Sequence, residues 1–522
     1  MSLASNNQAQ VFPQHRQVVL PFRADIAQLL GRTAKTFSHN SQPMLAIPHK
    51  EDSTLLLRNL GHNIAGPIQY YYDWNNGSPF DSQRVTADLL TTNKRAYVLS
   101  EMGVGKTRAA LWAFDYLRRI GAVRRLLVVA PLSTLVGVWE NEIFENFPLI
   151  STGVLHGERK KRVKILAQDV DCYIVNHDGV EVLHSELFKR SDIDCIIVDE
   201  LAIYRNARSQ RWKFLRPIVA RAEYAWGLTG SPTPNEPTDA YGQIKLLTPE
   251  RVGFSFKSFK DQTMRQLGPF RWIPRQEAND VVHERMQPSV RFTREQCYDL
   301  PPTTYSSRHI EMDPKAKALY KKMFDELAVQ VATKEITAAN EGVKLSKLLQ
   351  IASGFAYDAD GKGHYIGGAE RFKAIIEIIE QTEQKVIVFA GFRYLVTLIG
   401  KVLERKYKLA IIHGETPKSD RDKAFVGFQR DPALRLIVAH PQTMAHGLTL
   451  TEAATIIWAG PITSPEIYEQ ANARITRSGQ KNATYIIHIQ ASPVEKRVYD
   501  RLKRKASMQG ALLQMFEEHT PE

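Results

Sequence analysis

At 522 residues, 43% hydrophobic and 24% charged, with 30 glycines and 26 prolines, the chain has the composition of a folded protein of three or four domains. A disordered polymer and a single small binding module are both excluded. Lys and Arg outnumber Asp and Glu by 69 to 56, and the formal charge of +13 favours a polyanionic partner, with a nucleic acid the leading suspect.

Residues 1 to 78 begin polar and Gln/Asn-rich and continue in short mixed segments, Val18 to Phe22, Met44 to Pro48 and Leu55 to Leu60. They predict a small N-terminal α+β accessory module that ends in the aromatic run Tyr70 to Trp74 and the turn-rich Asn75 to Pro79. From residue 79 the pattern changes. Ala96 to Leu99, Leu126 to Ala130, Cys172 to Val175, Cys195 to Val198 and Ala225 to Leu228 are apolar runs separated by helix-length stretches. That is the pattern of βαβ units around a buried parallel sheet. A second series follows at Val386 to Phe389, Leu409 to Ile412, Leu436 to Ala439, Thr455 to Trp458 and Thr484 to Ile489. The expected organisation is a first α/β lobe over 79–248, a connector and helical insertion over 249–300, and a second lobe over 301–522. Strand signal fades from about 249 to 370, where Ala316 to Val331 reads as helix, and Pro493 to Phe516 reads as a basic C-terminal helix. Cys172, Cys195 and Cys297 lack metal or disulfide spacing, and His413, His440, His446 and His488 share no ligand spacing. A reducing, cytoplasmic compartment fits. The apolar runs fall short of the roughly 18 residues that cross a membrane, and no signal pattern opens the chain.

The chemistry begins after the strand Ala96 to Leu99, where Ser100-Glu101-Met102-Gly103-Val104-Gly105-Lys106-Thr107 leads into a helix-compatible run. This is a phosphate-binding loop in its required context: Gly103 and Gly105 let backbone amides wrap phosphates, Lys106 reaches the terminal phosphates and Thr107 holds Mg²⁺. The strict pattern has Gly where Ser100 stands. Asp199 and Glu200 leave the C-terminal end of the strand Cys195 to Val198, Asp199 placed to hold Mg²⁺ and Glu200 to orient or deprotonate the attacking water. Leu228-Thr229-Gly230-Ser231-Pro232 follows another strand. In the second lobe Gln470, Arg474 and Arg477, spaced by four and three, predict one helical face whose arginines stabilise a phosphoryl-transfer transition state. Each has a bland alternative: a glycine turn, two solvated acids, a plain turn, a solvated basic face.

Taken in order, Glu101 to Thr107, Val129-Ala130-Pro131-Leu132-Ser133 to Trp139, Asp199-Glu200, Leu228 to Asn235, Val386 to Phe389, His413-Gly414 to Phe428, His446 to Leu450 and Gln470 to Gln480 resemble the superfamily-two helicases. The opening Glu101 to Thr107 and the ending Gln470 to Gln480 resemble the Swi/Snf-type DNA translocases in particular, and the likeness covers about residues 79 to 510. The resemblance implies two RecA-like lobes with ATP bound by both and a nucleic-acid backbone running across both, for which Ser133, Asn176, Arg205, Thr443 and Gly447 are the candidate contacts. Gln83, preceded by Pro79 and Phe80, matches the glutamine that reads adenine, and Gln470 joins the nucleotide site. One departure stands out: the family has His where this chain has Ala202, which puts the coupling to the Thr229 to Pro232 turn in doubt. Ile47-Pro48 to Gly61 faintly resembles the module that precedes the motor in HepA-related annealing helicases. Tyr70 to Trp74 suits either base stacking or packing against the motor.

The expected protein is an ATP- and Mg²⁺-dependent motor on double-stranded or branched DNA, monomeric and in the cytoplasm of a bacterium or a phage-infected host. Rivals are a helicase that unwinds or anneals forks and junctions, and a nucleic-acid-binding scaffold with a vestigial ATPase.

Overall fold

The computed structural model describes residues 9–74, 78–253, 255–268, 271–297, 301–332, 338–444, 450–477 and 479–504. The chain divides into two units, residues 1–297 and 298–522.

The first unit opens with an antiparallel sheet of β1 (Gln10–Phe12), β2 (Gln17–Pro21), β3 (Lys35–His39) and β4 (Gln42–Pro48), ordered β1-β2-β4-β3. Asn40 and Ser41, both at positive φ, make the two-residue turn of the β3–β4 hairpin. Alternation sends Val18, Leu20, Leu45 and Ile47 to one face, where Ile26 and Leu57 from the helices Ala24–Leu30 and Glu51–Asn59 cover them.

The main sheet of this unit comprises β5 (Arg95–Val98), β6 (Arg125–Ala130), β7 (Thr152–Leu155), β8 (Cys172–Asn176), β9 (Ile193–Asp199) and β10 (Tyr224–Leu228). After the hairpin β11 (Met264–Gly268) and β12 (Arg271–Pro274), the short β13 (Ser289–Val290) completes it. The order is β13-β5-β10-β9-β6-β8-β7, with every pairing parallel. Both faces are covered, so the central strands are apolar over most of their length, with charged residues such as Arg95, Arg125 and Asp199 at their ends. Leu126 and Val128 face a core shared with Leu111, Phe114 and Leu117 of the helix Lys106–Arg119. Leu127 and Val129 face another shared with Leu215, Ile218 and Val219 of the helix Gln210–Arg221. Cys172 and Cys195 both pair in register with Leu126 and are fully buried.

The second unit holds β14 (Thr303–His309), β15 (Phe355–Tyr357), β16 (Gly363–Tyr365), β17 (Lys385–Phe389), β18 (Leu409–Ile412), β19 (Leu436–Ala439), β20 (Ala453–Trp458) and β21 (Thr484–Gln490). β15 and β16 form a hairpin, and the rest make a parallel sheet ordered β14-β21-β20-β17-β19-β18. Arg371 and Glu495 are fully buried in this unit and pair at 2.8 Å. Arg371 also donates to the carbonyls of Ala352 and Ala459, and Glu495 accepts from the Ala491 amide at 2.7 Å.

One expectation needs correction. The region about 249 to 370 is not poor in strands: β13 joins the first sheet, and β14 pairs with β21 along seven residues, from Thr303 opposite Thr484 to His309 opposite Gln490. β13 is too short to show a period, and β14 is an exposed polar edge strand, Thr-Thr-Tyr-Ser-Ser-Arg-His, with no apolar alternation. The C-terminal helix spans Pro493–Lys503; its expected continuation to Phe516 lies outside the described residues. The helix Pro314–Ala332 spans the stretch expected to be helical. Among the described residues no helix is long and apolar enough to cross a membrane.

Candidate nucleotide site and nucleic-acid edge

β5 ends at Val98, and the chain turns through Ser100 to Gly105 into the helix Lys106–Arg119. Gly103 (φ 85°) and Gly105 (φ 77°) adopt the left-handed backbone that lets the loop curl on itself. Gly105 caps the helix, whose first-turn amides have no partner within the helix and form a cradle for an anion. A Cβ at Gly105 would lie 2.1 Å from Nε2 of Gln83, the movable end of that side chain, so it is the backbone angle that calls for glycine here. Gln83 is buried; its Oε1 accepts from the Phe80 amide at 3.0 Å and its Nε2 donates to the Gly105 carbonyl at 3.3 Å. Lys106 Nζ donates to the carbonyls of Ser100 (2.8 Å) and Glu101 (3.0 Å). Phe80, Gln83, Gly103, Gly105, Lys106 and Thr107 therefore gather around one loop.

The acids arrive on the neighbouring strand ends. Leu228 of β10 is level with Asp199 of β9 and with Val98 of β5, and the Thr229 amide donates to the Val98 carbonyl at 3.0 Å. Asp199 Oδ2 accepts from the Trp139 indole at 3.0 Å and Oδ1 from the Glu200 amide at 3.0 Å. Burial pushes the Asp199 carboxyl above the usual carboxylate range, against the downward pull of the Trp139 hydrogen bond and the Lys106 ammonium. Glu200 sits at φ 51°, ψ 53°, a left-handed conformation that costs a non-glycine residue about 1–3 kcal/mol. This turn aims its side chain differently from a simple strand extension. Ala202 is buried in the short helical turn that follows, so no imidazole reaches the Thr229 to Pro232 turn from that position. That turn meets the phosphate loop another way: a Cβ on Gly230 would contact Met102 Cγ at 3.4 Å.

In the second unit the expected single helical face is not found. The helix Pro465–Asn472 carries Gln470 but ends before Arg474 and Arg477. The ladder tightens to three-residue turns, from the Arg474 amide to Ala471 and from the Ile475 amide to Asn472. The Arg474 carbonyl instead accepts from the Leu450 amide at 3.0 Å, so it is not available to continue the helix. Arg474 is only 2% exposed, its Nε donating to the Gln470 carbonyl at 2.9 Å, while the half-buried Arg477 donates from Nε to the Ala473 carbonyl at 3.1 Å.

The candidate nucleic-acid contacts of the first unit share an edge. Ser133 is exposed in the turn after β6, Asn176 ends β8 with Oδ1 accepting from Arg162 at 3.4 Å, and Arg205 follows the turn after β9, 3.9 Å from Asp239. All three lie at or beyond C-terminal strand ends, where the phosphate loop also begins. In the second unit Thr443 lies in the turn after β19, its hydroxyl donating to the His440 carbonyl at 2.7 Å. Gly447 and His446 lie outside the described residues.

Trp139 and Ser100 were not legible as site residues. Trp139 rides on a π-helical turn, Leu135–Glu140, whose extra residue turns the indole onto Asp199; such turns concentrate at functional sites, but nothing in an apolar run announces one. The Ser100 hydroxyl accepts from the Phe292 amide at 3.0 Å, across 192 residues of sequence.

The model of the SNF2-related domain matches residues 84–356, and that of the helicase conserved C-terminal domain matches residues 370–479. Putative protein p41 of Acyrthosiphon pisum secondary endosymbiont phage 1 is 25% identical over 84% of this chain and 98% of its own length. The mouse DNA annealing helicase and endonuclease ZRANB3 is 26% identical over 81% of this chain, which spans 40% of that protein. The Sulfolobus solfataricus SWI2/SNF2 ATPase core in complex with dsDNA is similar at 21% identity and a TM-score of 0.41, over 83% of this chain and 92% of that one.

Proposed function

The chain belongs to the SNF2-related family of helicase-like ATPases and is an ATP-dependent motor acting on DNA; from that premise we propose how its residues divide the work. The observation that carries the reading is the meeting of the Gln83–Gly105–Lys106 loop with Asp199 and Thr229 at level strand ends. Gln83 reads the adenine edge, and the loop amides with Lys106 hold the phosphates. Thr107 and Asp199 would hold Mg²⁺, which would supply charge neutralisation for the phosphate oxygens. The donor set fits such an ion: a carboxylate kept in place by an indole and a backbone amide, with burial disfavouring its charge until a cation arrives. Glu200 orients or deprotonates the attacking water, Arg477 meets the developing phosphoryl charge, and Arg474, buried against Gln470, holds that segment in shape.

The substrate contacts we assign are Ser133, Asn176 and Arg205 on the first unit and, by sequence, Thr443 and Gly447 of the second, which grip phosphate and sugar rather than bases because a motor must slide. The partner is double-stranded DNA, the active form a monomer and the setting the cytoplasm of a bacterium or phage-infected cell. A reading as an annealing helicase on forks and junctions draws support from the likeness to ZRANB3 and from the N-terminal module. A vestigial ATPase has only Ala202 in its favour. The test is the ATPase rate without nucleic acid and with single-stranded, duplex, forked and four-way-junction DNA and RNA. Stimulation by duplex DNA is the expected result; a stronger response to forks and junctions moves the protein to the annealing reading, and no hydrolysis under any condition overturns both.

A further inference from the structure

The last stretch of the first unit is bonded to the phosphate loop residue by residue. β13 runs parallel to β5, with Ser289 opposite Tyr97 and Val290 opposite Val98. The Tyr97 amide donates to the Pro288 carbonyl at 3.0 Å and the Leu99 amide to the Val290 carbonyl at 2.8 Å. The ladder does not stop where β5 does. The Glu101 amide donates to the Phe292 carbonyl at 2.9 Å, the Phe292 amide to the Ser100 hydroxyl at 3.0 Å, and both the amide and Nε of Arg294 to Glu101 Oε2 at 3.3 Å. Four residues after Arg294 the second unit begins.

We propose that Ser289–Arg294 is a tether by which this part of the connector follows the state of the phosphate loop, with Ser100 and Arg294 as the positioning residues. The inference rests on the nucleotide-site reading above. The Lys106 ammonium rests on the carbonyls of Ser100 and Glu101, the same two residues the tether grips from the other side. Drawing Lys106 onto a phosphate releases those carbonyls, and the peptide that carries them cannot move without shifting Phe292 and Arg294. The serine that departs from the strict loop pattern thereby has a use: glycine there has no hydroxyl to accept the Phe292 amide. Both side chains of the Arg294–Glu101 pair are about one-fifth exposed, so the pair is partly screened and can loosen and re-form. Coupling energies of this kind change an output by about 5- to 30-fold.

The full-length protein, Arg294→Ala, Arg294→Lys and Ser100→Gly are compared for affinity for a fluorescent ATP analogue, basal ATPase, duplex-stimulated ATPase and amide exchange. Arg294→Ala keeps nucleotide affinity and basal rate within about twofold and loses about 5- to 30-fold of the stimulated rate. Arg294→Lys recovers part of that loss, since an ammonium supplies charge without the guanidinium fork. In the parent, Mg-ATP changes amide exchange across 289–297, and in Arg294→Ala and Ser100→Gly it does not. Unaltered stimulation, or basal and stimulated rates falling together with affinity, overturns the tether. A parent that binds ATP but is not stimulated by DNA counts against the motor reading instead, and the exchange measurement then decides the tether by itself.

Discussion

The two parallel sheets present their candidate residues in different ways. In the first unit Ser100, Asp199 and Thr229 all sit within two residues of level strand ends, so the sheet itself fixes their spacing. In the second unit Gln470 is on a helix while Arg474 and Arg477 lie in irregular turns after it, anchored by main-chain bonds such as Leu450 to Arg474. One arrangement is rigid because a ladder of parallel hydrogen bonds runs through it. The other depends on side chains buried around it. A single arginine in the second is therefore able to act on shape, on chemistry, or on both.

The sharpest contrast comes from removing the phosphate-binding charge. Lys106→Ala abolishes both ATP binding and turnover, whereas Glu200→Gln keeps binding and loses turnover; equilibrium binding of a labelled nucleotide beside steady-state hydrolysis separates them. Arg477→Ala lowers kcat by on the order of 10³-fold with little change in melting temperature, as loss of an arginine finger does. Arg474→Ala lowers kcat and the melting temperature together because that side chain is buried, and calorimetry on both variants breaks the comparison if their thermal profiles coincide.

At intermediate size, Glu495→Gln leaves Arg371 buried without its countercharge and destabilises the second unit by about 3–5 kcal/mol, read by urea unfolding. The smallest effect is one of pH. His488 is buried against Tyr468, Tyr499 and Tyr305, and burial, with Lys503 adding to it, pushes its pKa down to about 3. The folded state therefore holds this imidazole neutral while the unfolded chain takes a proton near pH 6.5. Stability falls as pH drops from about 6.5 towards 3, by about 1.4 kcal/mol per unit at most from this group. Denaturant midpoints of the parent and His488→Gln at pH 7.5 and 5.5 converge on acidification if this holds.

The sequence reveals what repeats and what punctuates. Apolar runs such as Leu126 to Ala130 mark central strands because both faces are buried, and glycines at 103 and 105 mark a loop that needs left-handed backbone. It hides β14, whose polar residues lie on an exposed edge, and β13, whose two residues are too few to show a pattern. The aromatic run divides as only packing reveals. Tyr72 is buried, donating to Asp115 at 2.7 Å, and Trp74 meets Trp112 edge-on, whereas Tyr70 is exposed. Arg58 of the N-terminal module pairs with Asp88 on the helix Asp81–Thr92 that also carries Gln83. The boundary near residue 78 is a change of sequence pattern that the side-chain packing crosses.

The cysteines carry a practical consequence. Cys172 and Cys195 lie on either side of β6 in the first sheet, and burial pushes both thiols up, so an alkylating reagent reaches them only after that sheet opens. Cys297 is half-buried, three residues beyond Arg294. The native chain thus has built-in spectroscopic chemistry: one sulfur placed to carry a dye beside the tether, and two whose delayed labelling times the unfolding of the sheet that holds the nucleotide loop.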